Sequence, residues 1–228
     1  MIKIFLKVIT FILISLLIFL FYFVYFGFST SKFNTLIKDK IKSQNSNLDI
    51  ELKQVKLHLD LKNISIKIKT KNPKIIINNS NNIELREITS NISIFSYFQN
   101  KYAIKNVSIK SKNNEISSYI NFYRINNNSL QLIFLNKIIK NGKAKINVDL
   151  FFDDYGKIKN NYNLTGKISN VELQVDKNTK IKELNFKFAV KDKNYKLEQI
   201  LFEFEEIKLN SDLLNIQKKD NKFYVNGK

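Results

Sequence analysis

The stretch Leu48–Ile68, LDIELKQVKLHLDLKNISIKI, decides the fold of this chain. Apolar residues alternate with polar ones within it, first from Leu48 to Leu52, then from Val55 to Leu61, and again from Ile64 to Ile68. Strict alternation is typical of antiparallel strands with one buried and one solvated face. Between these runs the alternation shifts by one residue. Such a slip would by itself turn all later side chains to the other face of the sheet. Each slip is therefore predicted to be a β-bulge that restores the facing or a tight turn.

The same slip recurs along the chain in hexamers whose third residue is polar. These third residues are Gln54, Asn63, Glu87, Asn106, Asn170, Glu183 and Gln199. Their irregular spacing excludes a solenoid of fixed repeat length. Any β protein rich in Ile, Lys and Asn also produces such hexamers, but their number favours a recurring feature of strand edges.

Further strands are predicted downstream by the same period of two. They cover Ala144–Phe152, Ile168–Val175, Leu184–Val190, Ile200–Phe204 and Phe223–Val225. Asp153–Gly156 predicts a hairpin turn between two of them. Helical interruptions are expected at Ile94–Gln99 and at Leu130–Ile139, although the second could equally be a strand.

An uncharged run, Val8–Ser31, precedes the β region. It is about 24 residues long, and about 20 suffice to cross a bilayer core as a helix. A cleaved signal peptide is the alternative, but its apolar region would span only about 7–15 residues. We therefore predict a retained single-pass anchor. The lysines on the two sides of the run do not determine its orientation. Long domains translocate largely regardless of charge, so we predict a cytoplasmic N-terminus and a body outside the cytoplasm.

Three segments follow from these patterns: a tail and anchor over 1–31, an amphipathic juxtamembrane helix over 32–46, and a β domain over 47–228. The helix is predicted from the stripe of Phe33, Leu36, Ile37 and Ile41. It would lie against the membrane, plug the start of the sheet, or act only as a linker.

The net charge of +18 does not indicate a nucleic-acid partner. Of 38 basic residues only Arg86 and Arg124 are arginine, and the lysines are spread along the chain. Recognition of phosphates and bases relies on arginine and on clustered charge. We therefore expect no nucleic acid as a partner.

The side chains required for catalysis or metal binding are scarce. The chain has no cysteine, and its single histidine, His58, occupies a polar strand position. A zinc site needs several ligands at defined spacing, and a catalytic triad needs a positioned base. Asp153 and Asp154 are explained by their turn. We expect no enzymatic activity, no metal and no cofactor.

The distinctive feature is instead an apolar face on a long sheet, with few helices to cover it. Such a sheet closes on a second sheet or rolls into a trough. We predict a mainly β fold with a curved, largely antiparallel, open sheet. In a trough each buried methylene of an acyl chain would contribute about 0.8 kcal/mol. The candidate groove residues are Ile50, Leu52, Leu57, Leu59, Ile64, Ile66, Ile68, Val148, Leu150, Leu173, Phe186, Phe188, Phe202 and Phe204.

With its anchor, its short helix and its strand run from Leu48 to Ile68, the chain resembles the AsmA-like family (AsmA/TamB/YhdP-type proteins). Two later segments also match the family's pattern, namely ISIFSYFQNKYAIKNVSIKS, and DDYGKIKNNYNLTGKISNVELQV with Gly166 before a strand. The likeness is one of pattern and carries no invariant motif. It implies a bacterial inner-membrane protein with a periplasmic β-groove that carries phospholipid between inner and outer membrane.

The resemblance also implies the phospholipid bilayer and acyl chains as partners, together with a periplasmic or outer-membrane protein. The chain is shorter than most members, which leaves a fragment, a truncated gene or a short member that needs a partner as interpretations. A lipopolysaccharide-transport bridge component resembling LptC fits the length better, although glycine-punctuated strands are lacking. The third alternative is a non-lipid scaffold or assembly protein whose sheet pairs with a partner's edge strand.

Overall fold

The computed structural model describes residues 2–78, 80–125, 127, 129–192, 194–219 and 222–227. Its helices are α1 (Ile2–Tyr25), α2 (Lys32–Gln44), α3 (Ile94–Phe98), α4 (Ile116–Arg124) and α5 (Leu130–Ile138). Its first strands are β1 (Phe28–Thr30), β2 (Leu48–Glu51), β3 (Val55–Asp60), β4 (Ser65–Lys71), β5 (Lys74–Ile77), β6 (Asn81–Ser93) and β7 (Ile104–Ser111). The later strands are β8 (Asn114–Glu115), β9 (Ile139–Phe151), β10 (Asn163–Gln174), β11 (Lys180–Lys191), β12 (Asn194–Phe204), β13 (Ile207–Lys219) and β14 (Lys222–Gly227).

The strands form one large antiparallel sheet that does not close. Its main path runs β1-β3-β4-β6-β7-β9-β10-β11-β12-β13-β14, with β2, β5 and β8 paired beside it. Nine of the 13 described strand pairs join strands that are consecutive in sequence, as short connections favour. The mainly β fold with a curved, open, largely antiparallel sheet is confirmed.

The predicted slips are confirmed as bulges or turns. Register shifts occur beside Glu87 and Asn106 in the β6–β7 pair, and at Asn170, Glu183 and Gln199 farther along the sheet. The last three have φ angles of 52°, 51° and 53°. Asn63 lies in the β3–β4 turn, and Gln54 lies between β2 and β3.

Helix α1 is long and apolar enough to cross a membrane, and an 18-residue window within Lys3–Tyr25 has a mean hydropathy of 2.9. It begins earlier and ends earlier than the uncharged run Val8–Ser31. Gly27, at φ +67°, follows the helix, and Phe28–Thr30 then pair with β3 as strand β1. The end of the run therefore belongs to the sheet, because its β-forming residues complete an edge.

Helices α2, α3 and α5 fall where the sequence predicts helical segments. Of the positions considered for α2, the structure supports packing on the sheet: Asn34 donates to the carbonyl oxygens of Leu52 and Lys53, at 3.0 and 3.1 Å. Lys38 and Lys42 also pair with Asp49 of β2, at 3.2 and 3.3 Å. Helix α4 and strands β1, β5, β8 and β13 were not predicted.

A closed core occupies one end of the sheet. Ile77, Ile83 and Leu85 are buried there, and Tyr119 and Phe122 of α4 pack against them. Helix α4 therefore covers this end of the sheet.

Candidate functional site

A single row of directly paired residues crosses the whole sheet. It runs Thr30, Val55, Thr70, Ile88, Ile109, Val148, Leu164, Val190, Tyr195, Ile216 and Val225, one residue from each strand of the main path. Directly opposed residues in antiparallel strands share a face. The row therefore defines one continuous face, here called the apolar face, and the other side is called the polar face.

Exposure along this row increases from one edge to the other. Val55 is 1% exposed, the central members from Ile88 to Val190 are half-buried, and Val225 is 61% exposed. Ile88 and Ile109 pack against the closed core, whereas Val148, Leu164 and Val190 lie outside that cluster and are half-buried. The apolar face is therefore an open trough, deep beside β3 and shallow beside β14.

Most predicted groove residues lie on the apolar face. Leu57 opposes Ile68, Leu59 opposes Ile66, and Phe188 opposes Gly166. Past the bulges, Leu173 opposes Ile181, which opposes Phe204. The members on this face are Leu57, Leu59, Ile66, Ile68, Val148, Leu150, Leu173, Phe186, Phe188, Phe202 and Phe204.

The other predicted groove residues have different positions. Ile50 is 6% exposed and lies opposite Ile75, a residue that packs against the closed core. Leu52 lies between strands β2 and β3. Ile64 was predicted to resume a strand, but it occupies the β3–β4 turn at φ +44° with 46% of its surface exposed. The alternation alone does not distinguish a turn from a bulge, which is why Ile64 was misplaced.

Left-handed residues form a line across four neighbouring strands. Gly142 of β9 lies beside Val171, and Asn170, Glu183 and Gln199 occupy the bulges of β10, β11 and β12. A bulge bends its strand and increases the local twist. Their alignment curves the sheet along one line while keeping apolar side chains on one face.

The ring of Phe188 lies on the floor of the trough, at a point where Gly166 leaves room for it. A Cβ atom built on Gly166 would lie 2.5 Å from Cζ of Phe188 and 2.6 Å from the carbonyl oxygen of Lys145. The Phe188 ring thus lies directly over the backbone of β10. The adjacent Phe186 ring is 6.4 Å away, centroid to centroid. Together the two rings form an aromatic floor.

The polar face carries ion pairs and lysines. Glu87 accepts from Lys110 at 2.7 Å and pairs with Lys69 at 2.6 Å, and these contacts lower the pKa of Glu87 to about 2. A cleft of about 530 Å³ on the same face is lined by Ser29, Lys53, Gln54, Lys56, Lys69, Lys71 and Asn72. This face is therefore suited to water and to anionic surfaces.

His58 is less exposed than its strand position suggested. It is half-buried, and a Cβ on Gly27 would lie 2.7 Å from its Nδ1 atom, so the ring packs where the chain leaves α1. Burial there, followed by the charges of Lys56, Lys67 and Lys69, lowers the pKa of His58. Within the described ranges no group of three or more His, Cys, Asp or Glu side chains could hold a metal ion.

The predicted turn at Asp153–Gly156 is present. The Asp153 carboxylate accepts from the backbone N–H groups of Tyr155 and Lys157, both at 2.9 Å, which lowers its pKa. Asp154 pairs with Lys105 at 2.8 Å. Both carboxylates therefore hold the loop in shape.

Helix α4, missed by the sequence prediction, closes one end of the trough. Its Tyr119 hydroxyl donates to Ser111 Oγ at 2.7 Å and accepts from Asn114 Nδ2 at 3.0 Å. Asn114 also bonds the backbone N–H and carbonyl of Glu84, at 2.7 and 2.9 Å. The spacing of Ile116, Tyr119, Ile120 and Tyr123 is the signal that could have indicated this helix.

Comparison of the chain with protein-family models, with curated proteins and with solved structures finds no match.

Proposed function

We propose that this chain is a membrane-anchored lipid-binding protein whose apolar face holds the acyl chains of phospholipid. In this proposal the anchor spans the bacterial inner membrane once, the N-terminus is cytoplasmic, and the sheet stands in the periplasm. The trough guides lipid between the inner and outer membranes. Transfer is a passive movement along the sheet and requires no catalytic residue.

The observation that carries the proposal is the uninterrupted row from Thr30 to Val225. Its central residues are apolar and half-buried, and beyond the closed core the described strands form no second sheet over them. Exposed apolar strips of this extent normally mark a binding surface. An acyl chain fits such a strip because burial of its methylenes is favourable along the whole length, at about 0.8 kcal/mol for each.

Mass spectrometry of lipids that remain on the detergent-purified chain tests the proposal. We expect glycerophospholipid on the wild type and its loss in the variants Ile66→Asp and Phe188→Asp, because a charge on an apolar surface is strongly disfavoured. The controls are Lys67→Asp and Lys187→Asp, exposed positions next to them on the polar face. Equal lipid retention by all four variants would contradict the proposal.

The same experiment distinguishes the lipopolysaccharide-transport alternative. Lipopolysaccharide also carries acyl chains, so it would fit the same face. Recovery of lipid A-type acyl lipids in place of glycerophospholipids would assign the chain to that function instead.

One observation favours the assembly alternative as a second candidate. Strand β14 pairs with β13 along one side, and no other described strand pairs with it. Its Phe223, Tyr224 and Val225 are each more than half exposed, although they alternate between the two faces. A partner strand could extend the sheet here by β-augmentation. Co-purification of one specific protein from lipid-free preparations would favour this function.

A further inference from the structure

Helix α5 exposes Leu130, Ile133, Phe134 and Leu135 before β9 begins, and a second set of large exposed apolar side chains lies at the opposite end of the sheet, in three loops. They are Leu61 and Ile64 in the β3–β4 turn, Phe95, Tyr97 and Phe98 in α3, and Tyr155 and Ile158 in the loop after β9. This set is called the apolar rim. Phe98 is 78% exposed and Tyr155 is 88% exposed.

Hydrogen bonds join the three loops into one edge. The Ile94 N–H of α3 donates to the carbonyl oxygen of Ile64 at 3.2 Å. On the other side, the Tyr102 N–H donates to the carbonyl oxygen of Asp154 at 2.9 Å, and Lys101 pairs with the Asp154 carboxylate at 3.4 Å. The rim is therefore a fixed surface and not a set of independent loops.

The chain enters the sheet from α1 at this same end. Strand β1 is antiparallel to β3, with Phe28 opposite Leu57 and Thr30 opposite Val55, so the chain runs away from the rim as it leaves the helix. Gly27 contacts His58, two residues before β3 ends at Asp60. The side chains of α1 are exposed along most of its length, so the helix does not lie along the sheet.

The composition of the rim matches a membrane–water interface. Aromatic rings are enriched at that level of a bilayer, and lysines extend their charged ends from it toward water. Tyr97 and Tyr155 supply amphipathic rings of this kind, and Phe95 and Phe98 supply wholly apolar rings like those on the membrane side of interfacial helices. Lys62, Lys157 and Lys159 lie between or beside the apolar residues and are exposed.

We infer that the apolar rim is seated in the interfacial layer of the same membrane that α1 crosses. The trough then opens directly onto the acyl chains of the outer leaflet, while the end closed by α4 points away from the membrane. This inference rests on the proposed function in taking α1 as a membrane anchor. The occupant of the rim is the phospholipid bilayer itself.

The absence of tryptophan from the chain allows a direct test. Single tryptophans are introduced by Phe98→Trp and Tyr155→Trp in the rim, by Phe19→Trp in α1, and by Leu130→Trp as the matched control. Leu130 is 81% exposed and begins α5, the helix that leads into β9 at the end of that strand opposite the rim; β9 itself spans about 40 Å at about 3.3 Å per residue. Each full-length variant is placed in phosphatidylcholine nanodiscs with or without a shallow spin-labelled phosphatidylcholine.

We expect the spin label to reduce emission from both rim tryptophans and from Phe19→Trp, with blue-shifted rim spectra, and to leave Leu130→Trp unchanged. Quenching of Phe19→Trp without quenching in the rim would overturn the inference and leave the anchor intact. Equal quenching of the rim and Leu130→Trp would also overturn it, because the sheet would then lie flat on the bilayer. Failure to quench Phe19→Trp would contradict the anchor itself, and the inference with it.

Discussion

Glu87 shows how single residues keep the two faces of the sheet different. Its carboxylate lies between Lys69 of β4 and Lys110 of β7, so one acidic side chain joins three adjacent strands on the polar face. Its side chain is only 15% exposed, which makes these contacts stronger than those of fully solvated pairs. The bulge beside Glu87 places this residue opposite Lys110.

This arrangement predicts a pH-dependent stability. Lys110 and Lys69 lower the pKa of Glu87 to about 2. The stabilisation that ionised Glu87 gives the folded state is therefore fully present above its unfolded-state pKa and is lost as the pH falls toward its folded-state pKa. We expect Glu87→Gln to reduce the free energy of unfolding at pH 7 by about 1–2 kcal/mol. The difference from wild type should narrow between about pH 5 and pH 2.

Thermal unfolding in detergent across this pH range measures the effect. Glu206→Gln in the exposed β12–β13 turn serves as the control and should change little at pH 7. If Glu87→Gln reduces the free energy of unfolding by the same amount at pH 3 and at pH 7, the ion pairs do not contribute as described.

At the level of elements, the bulges were the best-predicted feature of the fold. The polar residues Asn170, Glu183 and Gln199 were found from a phase slip alone, because one face must stay apolar on both sides of the slip. The short strand β1 was not predicted, since its pairing with β3 is a long-range contact hidden inside an apolar run. Helix α4 was missed because its stability comes from packing on the closed end and from Asn114 and Tyr119, not from strong local propensity.

The bulge geometry predicts a reversal of ordinary strand preferences at Glu183. A left-handed conformation costs a non-glycine residue about 1–2 kcal/mol, and a β-branched residue tolerates it least. We therefore expect Glu183→Gly to stabilise the chain by about 1 kcal/mol and Glu183→Val to destabilise it by at least as much. Urea unfolding in detergent compares the two variants.

Lys187, an exposed residue in the same strand without a left-handed φ, is the matched control. There Lys187→Gly should destabilise and Lys187→Val should be neutral or stabilising, as in a regular strand. The same order of stability at both positions would contradict the bulge at Glu183.

For the whole molecule, the sequence predicted the architecture and most residues of the apolar face, because alternation reports faces directly. It could not predict which end of the trough is closed. That depends on where α4 packs and on how α3 and the loop after β9 meet through Tyr102 and Asp154, contacts that no local pattern encodes. Ile50 was misplaced for the same reason, whereas Ile64 was misplaced because alternation does not distinguish a turn from a bulge.

The proposed membrane topology makes a direct prediction about the intact chain. If α1 is retained with the body outside the cytoplasm, protease added to spheroplasts should digest the sheet domain, and the mature chain should keep its N-terminal residues. Protection of the body in intact spheroplasts, with digestion only after lysis, would reverse the topology. A mature N-terminus near Phe28 would show that α1 is a cleaved signal.

The central claim is that acyl chains occupy the apolar face and not the polar one. Photo-crosslinking amino acids are placed singly at Phe188 and Ile66 on the apolar face, and at their neighbours Lys187 and Lys67 on the polar face. We predict crosslinks to lipid from Phe188 and Ile66 only, because successive side chains in a strand point to opposite faces. Equal labelling at all four positions, or labelling at none, would contradict the account.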